Sequence, residues 1–290
     1  MKKIEECVIC GHKEQKPFLT LSDYMVTGEE FKIVECDHCG FHFTSPIPNK
    51  EDIGRFYKSE EYISHSSSKK GIVNSLYNIV RNKTLKDKVR WVRNEVSGNR
   101  LLDVGSGTGH FLKVANDNGF EGYGLEPDED ARAFAHKENH IRSCDQSELY
   151  DLERNSVDVI TMWHVLEHVY DLKKDVSYFY NALDSGGKLF VAVPNMNSYD
   201  ARFYKKYWAA YDVPRHLYHF QKQDIGKFFM DNGFELEKMI PMKYDAYYVS
   251  MLSEKYRKRP FFFGALIGFI SNRRAKKLGH SSQVYVLSKR

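Results

Sequence analysis

The stretch Leu101-Leu102-Asp103-Val104-Gly105-Ser106-Gly107-Thr108-Gly109 constrains this chain more than any other. Its apolar start reads as a strand that ends at Asp103. Glycines then alternate at 105, 107 and 109, and a helical pattern follows from His110. Glycine lets a backbone turn sharply and approach a ligand without a Cβ clash. A tight strand-to-helix turn at the C-terminal edge of a parallel sheet is a nucleotide-cofactor site. The expectation is an α/β enzyme that holds an adenosine-containing cofactor.

The glycine spacing departs from the pyrophosphate pattern G-x-G-x-x-G, and no G-K-[ST] or basic residue stands in the turn. Asp103 would repel a phosphate-rich ligand and suit a cationic or amine-bearing one. About 20 residues on, Gly122-Tyr123-Gly124-Leu125-Glu126-Pro127-Asp128 reads as a second short strand ending in an acid. Glu126 is placed to accept hydrogen bonds from ribose hydroxyls.

Asp103 to Gly109 resembles the first motif of class I S-adenosylmethionine-dependent methyltransferases. The resemblance implies a cofactor site built from Asp103, Gly105, Ser106, Gly107 and Gly109. Glu126, with Pro127, falls on the family's ribose-binding acid. Cys144-Asp145-Gln146 falls on its adenine loop, with Asp145 facing the base and Gln146 beside it. Ser156 to Ile160 matches the fourth strand, and Trp163-His164-Val165-Leu166-Glu167-His168-Val169 the segment lining the methyl-donor pocket. Leu183 to Leu189 matches the turn into the fifth strand. A tyrosine-bearing segment often packs over the cofactor in this family. That implies Tyr57 and Tyr62 as walls of the site, with an ordinary linker anchor as the alternative. The implied fold is a doubly wound, mostly parallel seven-stranded sheet with an antiparallel final hairpin. Strands are expected near 100–104, 121–125, 157–161 and 188–193, with helices near 108–118, 128–138 and 171–183.

Four of the five cysteines lie in the first forty residues, as Cys7-Val8-Ile9-Cys10-Gly11 and Cys36-Asp37-His38-Cys39-Gly40. The duplicated C-x-x-C spacing is that of a tetrahedral four-thiolate zinc site, and a closed four-ligand site is structural. Cys7, Cys10, Cys36 and Cys39 are the expected ligands. His12, His38 and His42 are alternatives, and iron is a minor one. Residues 31 to 35 alternate like a strand of a small ribbon. The ribbon and the aromatic segments after it resemble the N-terminal zinc-binding region of methyltransferases from sugar, polysaccharide and secondary-metabolite pathways. That implies a small-molecule, saccharide or lipid-linked acceptor.

Expected domains are a zinc ribbon at 1–45, a linker and helical segment at 46–96, and a methyltransferase domain at 97–290. Insertions at 195–220 and 241–280 exceed what the sheet needs and are expected to carry substrate recognition. The net charge of +4 demands no nucleic-acid partner. Acidic residues crowd the ribbon, where a phosphate-binding surface should be basic. The N-P-P-Y type signature of DNA amino-methyltransferases is replaced by Val193-Pro194-Asn195-Met196. RNA methylation, or a zinc-ribbon interaction protein on a degenerate fold, is the alternative reading. Thiol usage and the lack of a signal-like start point to the cytoplasm.

The first insertion carries Trp208 to Phe220, dense in aromatic, charged and histidine side chains. By the resemblance, its Pro214-Arg215-His216 and His219-Phe220 sit at the substrate mouth. Methyl transfer needs an aligned acceptor and often a base, and a histidine suits that task. His216 is the first catalytic candidate and His219 the second. Arg215 is read as a hold for an acidic group or phosphate. The alternative is that His216 only fixes the loop. Glu167 and His168 are read as orienting the substrate or as structural. H-V-L-E-H is not the H-E-x-x-H of a metalloprotease.

In the second insertion, Pro260 to Ile270 is the most apolar run of the chain, between Lys/Arg clusters. It is too short to span a bilayer. Residues 256–278 are read as a lid or homodimer interface, since short apolar runs are usually core. The competing reading is peripheral contact with an anionic inner-membrane surface.

Overall fold

The computed structural model describes residues 1–57 and 72–290, with backbone alone for 72–78. Tyr62 lies outside the described residues. Three antiparallel strands, β1 (Gln15–Ser22), β2 (Glu30–Cys36) and β3 (His42–Thr44), form the N-terminal ribbon. A long helix α1 (Ile72–Glu95) leads into β4 (Arg100–Val104). There follow α2 (His110–Asp117), β5 (Glu121–Leu125), α3 (Glu129–Asn139), β6 (Ser143–Cys144), β7 (Val157–Trp163) and α4 (Leu172–Ala182). After β8 (Leu183–Pro194) come α5 (Tyr199–Tyr204), β9 (Tyr218–His219), α6 (Lys222–Asp231) and β10 (Phe234–Pro241). A helix pair, α7 (Asp245–Tyr256) and α8 (Phe262–Leu278), precedes the last strand β11 (Ser282–Lys289).

The main sheet has seven strands in the order β10-β11-β8-β7-β4-β5-β6. β4 pairs in parallel with β5 and β7, as do β5 with β6 and β7 with β8. β11 runs antiparallel to both of its neighbours. The expected strands and helices are present, within a few residues at most ends. β8 extends further than the sequence suggested, beginning at Leu183 directly after α4. The central strands are apolar on both faces because both are covered. Val89 and Val92 of α1 pack with Phe111, Leu112 and Ala115 of α2 on one side. Val176 and Phe179 of α4, with Phe228 and Phe229 of α6, fill the other.

The first insertion supplies the ribbon's fourth strand. β9 pairs antiparallel with β3, His219 opposite His42 and Tyr218 opposite Phe43. Phe41 and Phe43 of the ribbon share one buried cluster with Leu217, Phe220 and the sheet residues Val191 and Val193. The ribbon's sheet therefore runs beyond residue 45 and continues the methyltransferase-side core. The second insertion is the α7–α8 hairpin, set between β10 and β11.

Candidate active site

The turn after β4 folds back onto β5, with Gly105 N and Ser106 N donating to Leu125 O at 2.7 and 3.1 Å. Gly105 and Gly107 sit at φ +70° and +53°, which only glycine adopts freely. A Cβ on Gly105 would lie 2.4 Å from Val165 Cγ2, whereas one on Gly107 would meet nothing within 4 Å. The turn thus offers bare backbone to a ligand on one side and is sealed by Val165 on the other. Ser106 Oγ lies 3.1 Å from Ser143 Oγ, and Gly109 is the N-cap of α2.

Acids flank this backbone. Glu126 is buried; its carboxylate accepts from Gly107 N at 2.8 Å and Asp128 N at 3.0 Å. Asp103 accepts a 2.6 Å bond from Thr161 Oγ1. Burial pushes its carboxyl up to about 7, against the pull of Thr161 and Lys88. Asp145 is exposed and accepts from Ser147 N and Oγ at 3.0 and 2.7 Å, opening the short helix Gln146–Asp151. Pro127 is exposed beside Glu126. Trp163 packs edge-on against Phe111, under Lys88 Nζ at 4.4 Å from its ring centre. Its indole nitrogen is buried with no hydrogen-bond partner among the described residues.

Val165 links this turn to a second group of side chains. After β7 the chain enters a short 3-10 turn, Leu166–His168, that buries Glu167 completely. Both carboxylate oxygens of Glu167 are without a hydrogen-bond partner among the described residues. Histidines surround it. His164 Nδ1 stands 3.5 Å and His216 Nε2 3.9 Å from its Oε1, and the His168 ring meets His216 edge-on at 4.6 Å. Burial pushes the Glu167 carboxyl up, but His164, His216 and His168 outweigh it and hold the group below its ordinary pKa. Burial lowers His164, yet Asp245 at 3.0 Å and Glu167 bring it up to about 9. Burial and the neighbouring His216 bring His168 down to about 4.

Hydrogen bonds fix the ring orientations. His216 Nδ1 lies 2.9 Å from Ala210 O, and His168 Nδ1 3.0 Å from Arg215 O. A carbonyl only accepts, so each Nδ1 donates a proton to it. His219 is different. Thr44 Oγ1 spends its hydroxyl hydrogen on His216 O at 2.8 Å and so accepts from His219 Nε2 at 3.0 Å. Buried within the ribbon sheet, with its pKa lowered by burial, His219 holds that sheet in place.

A methyltransferase-domain family model matches residues 78–239, more than half of the chain. The chain belongs to that family. No curated protein matches it in sequence. A solved S-adenosylmethionine-dependent methyltransferase from Thermotoga maritima superposes with a TM-score of 0.53 at 18% identity, covering 75% of this chain and 96% of its own. Magnesium protoporphyrin IX methyltransferase from Synechocystis PCC 6803, with bound S-adenosylhomocysteine, gives 0.56 at 15% identity, covering 83% and 100%. Geranyl diphosphate C-methyltransferase from Streptomyces coelicolor A3(2) gives 0.51 at 13% identity, covering 71% and 79%. At these identities the likeness speaks to the fold alone. S-adenosylmethionine is the cofactor of this methyltransferase, and the open backbone at Gly107 between Asp103 and Glu126 fits it.

The methyltransferase also carries a metal centre. Cys7, Cys10, Cys36 and Cys39 converge, with Cys7 Sγ 3.6 Å from Cys39 Sγ and Cys10 Sγ 3.6 Å from Cys36 Sγ. Four sulfurs at about 2.3 Å from one zinc lie about 3.8 Å apart, so the donor set fits a closed tetrahedral site. The two knuckles repeat one hydrogen-bond pattern. Gly11 N donates to Cys7 O and Gly40 N to Cys36 O, at 2.8 and 2.9 Å. Glu167, His168 and His216 form a second potential ligand group. Metal bonds near 2.1 Å would place donor atoms about 3.4 Å apart or closer. The 3.9 Å from Glu167 Oε1 to His216 Nε2 is wider.

Arg215 does not face a substrate. Its guanidinium binds Asp212 at 2.6 and 3.0 Å, Asp23 at 2.9 Å and Phe56 O at 2.7 Å, and is 2% exposed. The expected anion hold is instead a tie between the ribbon and the first insertion. Sequence reasoning gave no role to Asp23, Asp212, Asp245 or Lys88. The ion-pair partners of Asp23 and Asp245 lie far along the chain, whereas the Asp212–Arg215 pair stands at i,i+3.

Proposed function

We propose that the methyltransferase transfers the S-adenosylmethionine methyl group to a small-molecule acceptor, saccharide or lipid-linked, with Glu167 as the proton-accepting group. The observation that carries the reading is the completely buried carboxylate of Glu167, which accepts no hydrogen bond among the described residues and faces His164 and His216, two residues from the Val165 side chain that seals Gly105. The cofactor supplies an electrophilic methyl group. The chain's residues do the remainder. Asp103 and Glu126 bind the cofactor's polar ends. Glu167, kept ionised by its histidines, accepts the proton that the acceptor loses. His216, oriented by Ala210 O, holds the carboxylate and stabilises the transferred proton.

One cleft bears on the acceptor class: Tyr24 and Tyr256 line about 190 Å³ with Met25, Leu252, Lys255 and Lys258. Aromatic walls with a few cations suit a compact polar molecule that carries negative charge. Fold relatives include enzymes named for magnesium protoporphyrin IX and geranyl diphosphate, both small molecules.

The test uses cofactor labelled in its methyl group, offered with separate pools of polar metabolites, sugar nucleotides, lipid extract and total RNA. Label in a small-molecule or lipid pool is the expected outcome, and label in RNA alone would reverse the assignment. With the labelled acceptor in hand, Glu167→Gln should lower kcat about 100-fold or more while leaving cofactor affinity nearly unchanged. Equal loss of cofactor affinity would make Glu167 a binding residue instead.

A further inference from the structure

The α7–α8 hairpin is built inside out. α8 buries Gly264, Gly268, Ser271 and Ala275; the two glycines meet α7, and Ser271 donates to Asp200 of α5 at 2.6 Å. The backbones nearly touch. A Cβ on Gly264 would lie 2.4 Å from Met251 Cα, and one on Gly268 2.7 Å from Ala246 O. Small residues thus take the inner stripe, and the large ones point to solvent. Phe261, Phe262, Phe263, Leu266 and Phe269 are 57, 59, 49, 59 and 47% exposed. The phenylalanines are gathered, not scattered, with Phe262 and Phe263 ring centres 4.5 Å apart. Within one chain the large side chains of this run are therefore not buried, and a lid, a dimer or a membrane contact each needs something to meet them.

The charge flanking α8 in the chain is of one sign: Lys255, Arg257, Lys258 and Arg259 precede it, and Arg273, Arg274, Lys276 and Lys277 stand in its last turns. Residues 255–290 hold ten Lys and Arg and no Asp or Glu. The preceding 254 residues then carry 33 basic against 39 acidic side chains, a net charge of −6. An anionic surface is opposed on balance by the acidic remainder of the chain and attracted by this stretch. No helix among the described residues is long and apolar enough to cross a membrane. An apolar helix face between basic clusters lies in the headgroup region instead. A second copy of the chain fits less well. A two-fold contact brings the same patch to itself. It would set these basic clusters against each other, with no acid in the stretch to neutralise them.

We propose that the outer face of α8 docks the methyltransferase on an anionic lipid bilayer, with Phe262, Phe263, Leu266 and Phe269 entering the headgroup region. Lys276 and Lys277, both exposed, supply part of the attraction to the lipid charge. This docking does not depend on which molecule accepts the methyl group.

The experiment is co-sedimentation of the full-length protein with vesicles of phosphatidylcholine alone or mixed with phosphatidylglycerol, at low and high salt. Binding to the phosphatidylglycerol vesicles should exceed that to neutral ones by tenfold or more, and weaken with salt. Phe262→Glu/Phe263→Glu should abolish pelleting. Both side chains are exposed, so the variant should keep its melting temperature and its cofactor affinity. Lys276→Gln/Lys277→Gln should weaken pelleting chiefly on the anionic vesicles. No pelleting of the wild type at low salt would overturn the proposal. So would a dimer in sedimentation velocity that the phenylalanine variant dissolves, because a second copy would then cover the face.

Discussion

At the residue scale, Asp103 gives the clearest pH prediction. Its ordinary carboxyl value of 3.8 is pushed up to about 7 in the fold, chiefly by burial. A raised carboxyl means that the folded protein holds a proton the unfolded chain has released. This group's contribution therefore favours the fold at low pH and is lost as pH rises through about 7. On the proposal that Asp103 faces the cofactor's ammonium group, cofactor binding has the opposite sign, because a cation favours the ionised carboxylate. Affinity for S-adenosylhomocysteine should rise between pH 6 and pH 8, by about tenfold per unit on the acid side of 7. Asp103→Asn should flatten that dependence in titration calorimetry; a slope that survives the substitution would assign it elsewhere. Asp103 and Glu126 were legible in the sequence because each ends a strand beside the glycine turn, where chain order and space coincide. The setting of Glu167 was not. Its neighbours His164 and His168 are local, but His216 arrives from the insertion, and Asp245 meets His164 across 81 residues.

At the scale of elements, the zinc ribbon reaches the site through β3. Thr44 N donates to Leu217 O at 2.9 Å, and Leu217 N donates to Glu167 O at 2.7 Å. With the bond from Thr44 Oγ1 to His216 O, the ribbon holds Glu167 and His216 from one side. Zinc binding is coupled to folding in small domains of this kind. Chelation should therefore remove one zinc and lower turnover much more than cofactor affinity, since the glycine turn sits on the other strands. Cys36→Ser should reproduce both effects. Metal-free protein that turns over normally would confine the zinc to local stability. The knuckles were legible because each is a five-residue unit. β9 was not, because a two-residue strand has no periodicity and its partner is 175 residues away. The face that α8 buries within the chain was not legible for a related reason: its packing stripe is made of glycine, serine and alanine, which carry no apolar periodicity.

At the scale of the molecule, ribbon, first insertion and sheet share one buried cluster, and Arg215 ties them. Asp23 comes from the ribbon, and Asp212 and Arg215 from the insertion; the Arg215 and Asp23 side chains are 1 and 0% exposed. A buried pair gives little net stability relative to apolar packing, because desolvation offsets attraction. Removing one partner is costly, because it leaves a buried charge alone. Arg215→Ala leaves Asp212 and part of Asp23 in that state. Asp23 keeps backbone bonds from Met25, Val26 and Thr27, which softens the loss. The expected cost is about 3 kcal/mol, near the lower end for a broken buried pair. In a protein of 290 residues that lowers the melting temperature by roughly 5 °C. Because the core is continuous, the variant should still melt in one step, as followed by circular dichroism and by tryptophan fluorescence together. Two separated steps, with the ribbon melting first, would mean that the ribbon and the methyltransferase sheet fold independently.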